Sequence, residues 1–167
     1  RLAGSQKVNV RYFGDLNNLA AELKSEDWTN FIAANDYTFN IPPSTEWNDF
    51  THVDLVIGIR SFDKNENFLS KPSSKLINSW RANAVFISGN DSACLYEKED
   101  EFDFVEVADY DALKNVLSKI KDDKVMFGRY RSRAIVRGER FSDSFFVNQW
   151  TDLIDKKLIP AYSKSLQ

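Results

Sequence analysis

The residues with the clearest chemical potential follow an apolar run. Val53-Asp-Leu-Val-Ile-Gly-Ile59 delivers Arg60, and beyond a charged loop Lys71-Pro72-Ser73-Ser74-Lys75 opens a helical pattern. A helix N-terminus presents unpaired N–H groups and a partial positive charge. Two lysines and two hydroxyls at that start, with Arg60 nearby, make a candidate anion site suited to a diphosphate. Dipole and charge-assisted hydrogen bonds together would contribute on the order of a few kcal/mol there. Positive charge at a helix start is otherwise mildly unfavourable, which singles the lysines out; the plain structural alternative makes them exposed helix residues and Arg60 a salt-bridge partner. A second loop, Ser88-Gly89-Asn90-Asp91-Ser92-Ala93, also follows an apolar run and opens a short helix. Gly89 lets backbone approach a ligand, and Asp91 or Ser92 either bonds a sugar hydroxyl or simply caps the helix. The three-glycine dinucleotide fingerprint and the Gly-Lys-Ser/Thr phosphate loop are both missing, so dehydrogenase and P-loop readings lose ground.

The elements that must position these loops are legible from period. Val8-Asn-Val-Arg-Tyr-Phe13 alternates and ends at Gly14-Asp15, the pattern of a strand and turn. Leu16, Leu19, Ala20 and Leu23 recur at helical spacing, and Trp28, Phe31 and Ile32 form a second amphipathic piece. Tyr37-Thr-Phe-Asn-Ile41 reads as a strand stopped by Pro42-Pro43. The Val53–Ile59 run is that of a strand covered on both faces. Pro72 suits the first turn of the next helix, in which Leu76, Ile77 and Trp80 share one face. Ala84-Val-Phe-Ile87 and Phe104-Val-Glu-Val107 are two further strands, and Asp109 caps a helix carrying Tyr110, Leu113, Val116, Leu117 and Ile120 inward. Phe145, Phe146, Trp150, Leu153 and Ile154 supply the last apolar face, and Glu97-Lys-Glu-Asp-Glu101 reads as a solvated loop. Five strands separated by helices predict an α/β fold: a Rossmann-like, doubly wound open sheet, mainly parallel, with helices on both faces. In such sheets ligands bind outside the carboxyl ends of the strands, here the loops after Phe13, Ile59 and Ile87.

Composition bounds the alternatives. The chain has 167 residues, 43% hydrophobic and 14% aromatic, enough for the core of one domain spanning 1–167. With 22 Lys and Arg against 25 Asp and Glu the net charge is -3, so no nucleic-acid partner is expected and any anion site must be local. One Cys and one His argue against a disulfide framework and against a Cys/His metal site. Cys94 reads as a small buried hydrophobe, and His52 lies at the wrong end of its strand to serve the pocket. There is no membrane-spanning apolar run and no signal peptide, so a soluble, cytoplasmic domain is expected. The only Met is Met126, which makes the chain a processed product or a piece of a longer protein.

The stretch from Lys71 to Ala93 resembles the nucleotide-sugar-binding half of GT-B glycosyltransferases, in which a lysine-proline segment opens a helix, a small-residue turn leads to a strand and a Gly-x-x-Ser-Ala-like loop follows. Tyr12-Phe-Gly-Asp-Leu-Asn-Asn-Leu19 is similar to the first strand and loop of that domain, and Trp47-Asn-Asp-Phe with Val53–Arg60 resembles the strand leading into the donor site. Nearly the whole chain is compatible, with 71–93 the specific part. The resemblance implies a C-terminal donor-binding domain for a nucleotide-diphospho-sugar, needing no metal ion or other cofactor, because cationic side chains and helix dipoles stabilise the leaving diphosphate. Arg60, Lys71, Ser74 and Lys75 would hold the diphosphate. Gly14, Asn78, Gly89, Asn90, Asp91 and Ser92 would hold sugar or nucleoside. Many retaining members carry two glutamates eight positions apart in this region; here Ser70 and Asn78 stand in those places. The acceptor site, and the base for inverting chemistry, would come from an N-terminal acceptor domain. A non-catalytic flavodoxin-like or receiver-like α/β interaction domain is the alternative, and Asp15 alone at the first strand end is a poor match to a receiver's acidic cluster.

Overall fold

The computed structural model describes residues 7–66, 68 and 70–165, with the side chains of Ser92 and Ser165 outside the described set. Five parallel strands form one sheet: β1 (Val8–Arg11), β2 (Tyr37–Asn40), β3 (Leu55–Ile57), β4 (Val85–Ser88) and β5 (Val105–Glu106), in the order β2-β1-β3-β4-β5. Register is set by pairs such as Val10 with Leu55 and Val56 with Phe86. This is the strand order of flavodoxin-like doubly wound sheets, and its direction of winding reverses between β1 and β3.

Period-two alternation sends side chains to opposite faces, and both faces are covered. Val10, Leu55, Ile57, Val85 and Ile87 pack with Trp28 and Ile32 of α1 (Glu26–Ala34) and with Leu113, Leu117 and Ile120 of α4 (Tyr110–Asp122). Val56 and Phe86 face the other way, onto Leu76 and Trp80 of α2 (Ser74–Arg81) and Ala134 of α5 (Lys124–Arg140). Trp80 is fully buried in the core, as its place on the apolar face predicts, and its indole N–H donates to the Asp103 carbonyl at 2.7 Å. Asp109 caps α4 as the sequence predicts, and side-chain caps are also made by Ser25 for α1, Asp123 for α5 and Asp91 for the short α3 (Ser92–Tyr96). After α5 come α6 (Asp143–Leu153), a π-helical turn (Ile154–Leu158) and α7 (Ile159–Ser165). No helix among the described residues is long and apolar enough to cross a membrane.

Three local expectations are corrected. Leu16 to Leu23 is not one helix but two 3-10 turns, Leu16–Asn18 and Ala21–Lys24. The backbone groups that an α-helix would pair are taken elsewhere: the Asp15 carboxylate accepts from Asn17 N at 2.8 Å, Tyr12 OH donates to Asn18 O at 2.9 Å, and Ala20 N donates to Ile59 O at 3.3 Å. Pro72 lies outside α2, since Lys71 N closes a turn onto Phe68 O at 2.9 Å and Ser73 is the N-cap. The acidic run at 97–101 is a loop, but not wholly a solvated one. Glu97 and Glu99 pair with Arg137 of α5, whose side chain is only 2% exposed. Asp103, equally buried, pairs with Arg133 at 2.6 Å.

Candidate functional site

The carboxyl edge of the sheet gathers the predicted loops into two adjoining places. The first is a cavity of 260 Å³ between the loop after β1 and the start of α2, lined by Tyr12, Phe13, Gly14, Asp15, Asn18, Trp47, Phe50, Ser74, Lys75 and Asn78. It lies at the β1/β3 reversal, where doubly wound sheets bind their ligands. Gly14 packs close under the Tyr12 ring, and a Cβ there would stand 3.0 Å from ring atoms. The loop is held on one side by the Tyr12–Asn18 bond and on the other by Tyr12 N, one residue beyond β1, donating to Asn40 O at the end of β2 at 3.0 Å.

The start of α2 has no side-chain cap: Ser73 makes no capping hydrogen bond, and no acidic residue sits in the first turn. Ser74 and Lys75 therefore border open N–H groups. The Lys75 ammonium is half-buried and lies 5.4 Å from the centre of the Tyr12 ring. Among the described residues it has no carboxylate within salt-bridge distance and no hydrogen-bond acceptor. Burial, followed by repulsion from Arg60, holds its pKa below the ordinary lysine value, while Asp91 and Cys94 pull weakly the other way. Tyr12 is shifted upward by burial, with Arg60 opposing.

The second place is a niche formed by Gly58, Ile59, Arg60, Ser61, Phe68, Gly89, Asn90 and Asp91, which encloses no free volume. Arg60 is largely buried. Its Nε stands 3.9 Å from Asp91 Oδ2 and makes no hydrogen bond, and its guanidinium lies 5.6 Å from the centre of the Phe68 ring. Phe68 has a φ of 49°, a left-handed conformation uncommon for a bulky residue. Asp91 is turned inward, 7% exposed, with Oδ1 accepting from Ala93 N at 3.1 Å to cap α3. Asn90 reaches across to the Lys64 and Glu66 carbonyls at 3.4 and 3.3 Å, tying the two loops together. The Ser92 side chain lies outside the described residues.

Of the sequence-derived set, Gly14, Ser74, Lys75 and Asn78 thus share the open cavity, and Arg60, Gly89, Asn90 and Asp91 share the closed niche beside it. Lys71 is exposed and lines neither. Trp47 and Phe50 were not singled out as site residues. They reach the cavity because the segment after β2 folds back over β1, where Arg11 donates to the Asp49 carbonyl at 2.9 Å. No spacing in the sequence marks Trp47, which follows Pro42-Pro43 after the short polar stretch Ser44-Thr45-Glu46. His52 is exposed and lines a different cavity, of 610 Å³, with Lys7, Asn9, Asp54 and Arg131 near the amino ends of the strands. Cys94 is buried, and burial and the nearby Asp91 push its thiol up to about 12. No known family, curated protein or solved structure matches this chain.

Proposed function

We propose that this domain binds a nucleotide-diphospho-sugar at the carboxyl edge of its sheet and acts as the donor-binding half of a glycosyltransferase of GT-B type. One observation carries the reading. A half-buried lysine without an anionic partner stands beside an uncapped helix start, in a cavity at the reversal point of a doubly wound sheet. An anion entering there would meet the open N–H groups of α2, the Ser74 hydroxyl and the Lys75 ammonium. Charge growing on a departing diphosphate is then stabilised by groups already in place, with Arg60 adding to the potential from the adjoining niche. Lys71, exposed just before the helix, is the side chain free to swing onto an outer phosphate. The acceptor and the proton-accepting base belong, in this reading, to a second domain. Calorimetry with a panel of nucleotide sugars tests it: micromolar binding to at least one donor, weakened by Lys75→Ala and less by Lys71→Ala, supports the site. Absence of binding across the panel, or indifference to both substitutions, would overturn it.

A second reading draws on two other observations. The strand order is that of flavodoxin-like domains, a fold that hosts many unrelated functions. The terminal helices also expose apolar side chains, with Val147, Trp150, Leu158 and Tyr162 each more than half exposed. A non-catalytic interaction domain would use that face. Light scattering separates the two: a dimer that buries Trp150 and binds no nucleotide favours the second.

A further inference from the structure

The cavity at the start of α2 has an aromatic side as well as a cationic one, and the reading above uses only the second. Four rings line it. Tyr12 and Phe13 are core residues, 0% and 5% exposed, and the face of Tyr12 is already covered by Lys75. Phe13 and Phe50 stack on each other, with centroids 4.2 Å apart and planes 27° apart. Trp47 differs. It is 38% exposed, and among the described residues its indole is in contact with no other ring and no cation. The ring is nonetheless fixed in place, because Nε1–H donates to the Pro42 carbonyl at 3.2 Å and the preceding 3-10 turn (Ser44–Glu46) fixes its backbone.

A large flat ring held by its N–H, more than a third exposed and without a ring or cation partner, can serve as a stacking platform. Here it shares a small cavity with an unpaired ammonium and an uncapped helix start. A ligand that satisfies both must join a planar aromatic group to an anion through a short spacer, which is the layout of a nucleoside diphosphate. The 260 Å³ of this open cavity is smaller than the ~300–1,000 Å³ of a complete small-molecule site, so it receives only part of such a ligand. We infer that Trp47 is a stacking platform for the nucleobase of the donor, and that nucleoside binding at this site comes from the segment after β2. This rests on the proposal that the α2 start takes the diphosphate.

The experiment separates the two ideas by using ligands that carry one half of the chemistry. Calorimetry is run with uridine, adenosine and guanosine diphosphates, with a nucleotide sugar, and with inorganic pyrophosphate, on the wild type and on Trp47→Ala, Trp47→Phe and Lys75→Ala. Stacking of ~1–3 kcal/mol per base corresponds to a loss of about 5- to 150-fold. Trp47→Ala is expected to weaken nucleoside diphosphates by that factor while leaving pyrophosphate unchanged, with Trp47→Phe recovering most of it. Lys75→Ala is expected to weaken both ligand types. If Trp47→Ala weakens pyrophosphate as much as nucleotide, the ring only supports the cavity and the platform is overturned, though the diphosphate site stands. If it weakens the nucleotide sugar alone, the ring meets the sugar and the platform is again overturned. If no ligand binds the wild type, both ideas fall together.

Discussion

Lys75 supplies the sharpest test, because a lysine kept for a ligand and a lysine kept for the fold respond to substitution with opposite signs. Burial and the Arg60 guanidinium hold its pKa below the ordinary lysine value of 10.5. The unfolded chain therefore binds that proton more tightly than the folded one does. Stability must rise with pH across the window between the depressed native value and 10.5, and at pH 7 the charged ammonium is a net cost to the empty fold. Its contact with the Tyr12 ring returns about 0.5–1 kcal/mol, and no carboxylate within salt-bridge distance adds to that. Lys75→Met keeps the aliphatic stem and removes the charge. The gain should be about 0.5–1 kcal/mol, within the range typical of relieved functional residues. For a domain of this size that is roughly 1–4 °C in Tm. The same substitution deletes a charge-assisted hydrogen bond to a bound diphosphate, worth about 1.5–3 kcal/mol, so affinity should fall roughly 10- to 150-fold. Thermal melts by circular dichroism, with and without nucleotide sugar, read both quantities on one sample. A variant that melts several degrees lower yet binds as tightly as the wild type would refute the reasoning, since Lys75 would then be a structural cation.

Other consequences concern the fold that holds this site. Arg137 lies over the Trp80 ring at 4.6 Å and donates to the Glu97 carbonyl at 2.7 Å from an almost fully buried position. Arg137→Met should cost about 2–4 kcal/mol in urea unfolding, because the desolvated cation–π contact and a charged hydrogen bond are lost together. Arg140→Met, at a half-exposed pair with Glu99, should cost less than about 1 kcal/mol. The two glycines of α5 should respond in opposite directions to alanine. A Cβ on Gly138 would sit 2.4 Å from the Trp80 carbonyl oxygen, where α5 crosses the end of α2, whereas one on Gly128 meets nothing within 4 Å. Gly138→Ala should therefore destabilise by about 1–3 kcal/mol, and Gly128→Ala should stabilise by up to about 1 kcal/mol. Cys94, with its thiol pushed up to about 12, should resist alkylation at pH 8 in the native protein and react fully in denaturant; rapid native labelling would contradict its burial.

Some of this was legible in the sequence for identifiable reasons. Leu55-Val-Ile57 and Val85-Phe-Ile87 are continuous apolar runs because both faces of their strands are covered. Together with the helical stretches between the strands, that pattern predicts a parallel sheet between two helix layers, and the carboxyl-end rule then points to the loops after Phe13, Ile59 and Ile87. Spacing failed where the backbone found partners outside its own segment. Leu16 to Leu23 has helical period, yet Asp15, Tyr12 and Ile59 take the groups a helix needs. Arg137 is one of five arginines between 129 and 140, and nothing local separates it from a solvated charge. Its burial follows from the distant acidic loop at 97–103 and from Trp80.

The candidate site shows the same division. Lys71 and Lys75 are four residues apart and look equivalent in the sequence, but α2 begins at Ser74, so only Lys75 belongs to the helix and its cavity. The extra turn closed by Lys71 N on Phe68 O leaves Lys71 in solvent. Trp47 carries no spacing signal, since its place depends on Arg11 gripping the Asp49 carbonyl and folding the segment after β2 across β1. That fold-back follows from strand order. Because β1 lies between β2 and β3 and all three run parallel, the connection must pass β1 on its way from the carboxyl end of β2 to the amino end of β3. Pro42-Pro43, unable to extend the ladder, starts that crossing at the carboxyl edge, beside the loop that carries Gly14. An aromatic residue in this connection is thereby brought to the same cavity as the first turn of α2, although nearly thirty residues separate Trp47 from Ser74. The net charge of -3 therefore says little about what the domain can bind, because the topology sets the Lys75 ammonium and a partly exposed tryptophan around a single opening.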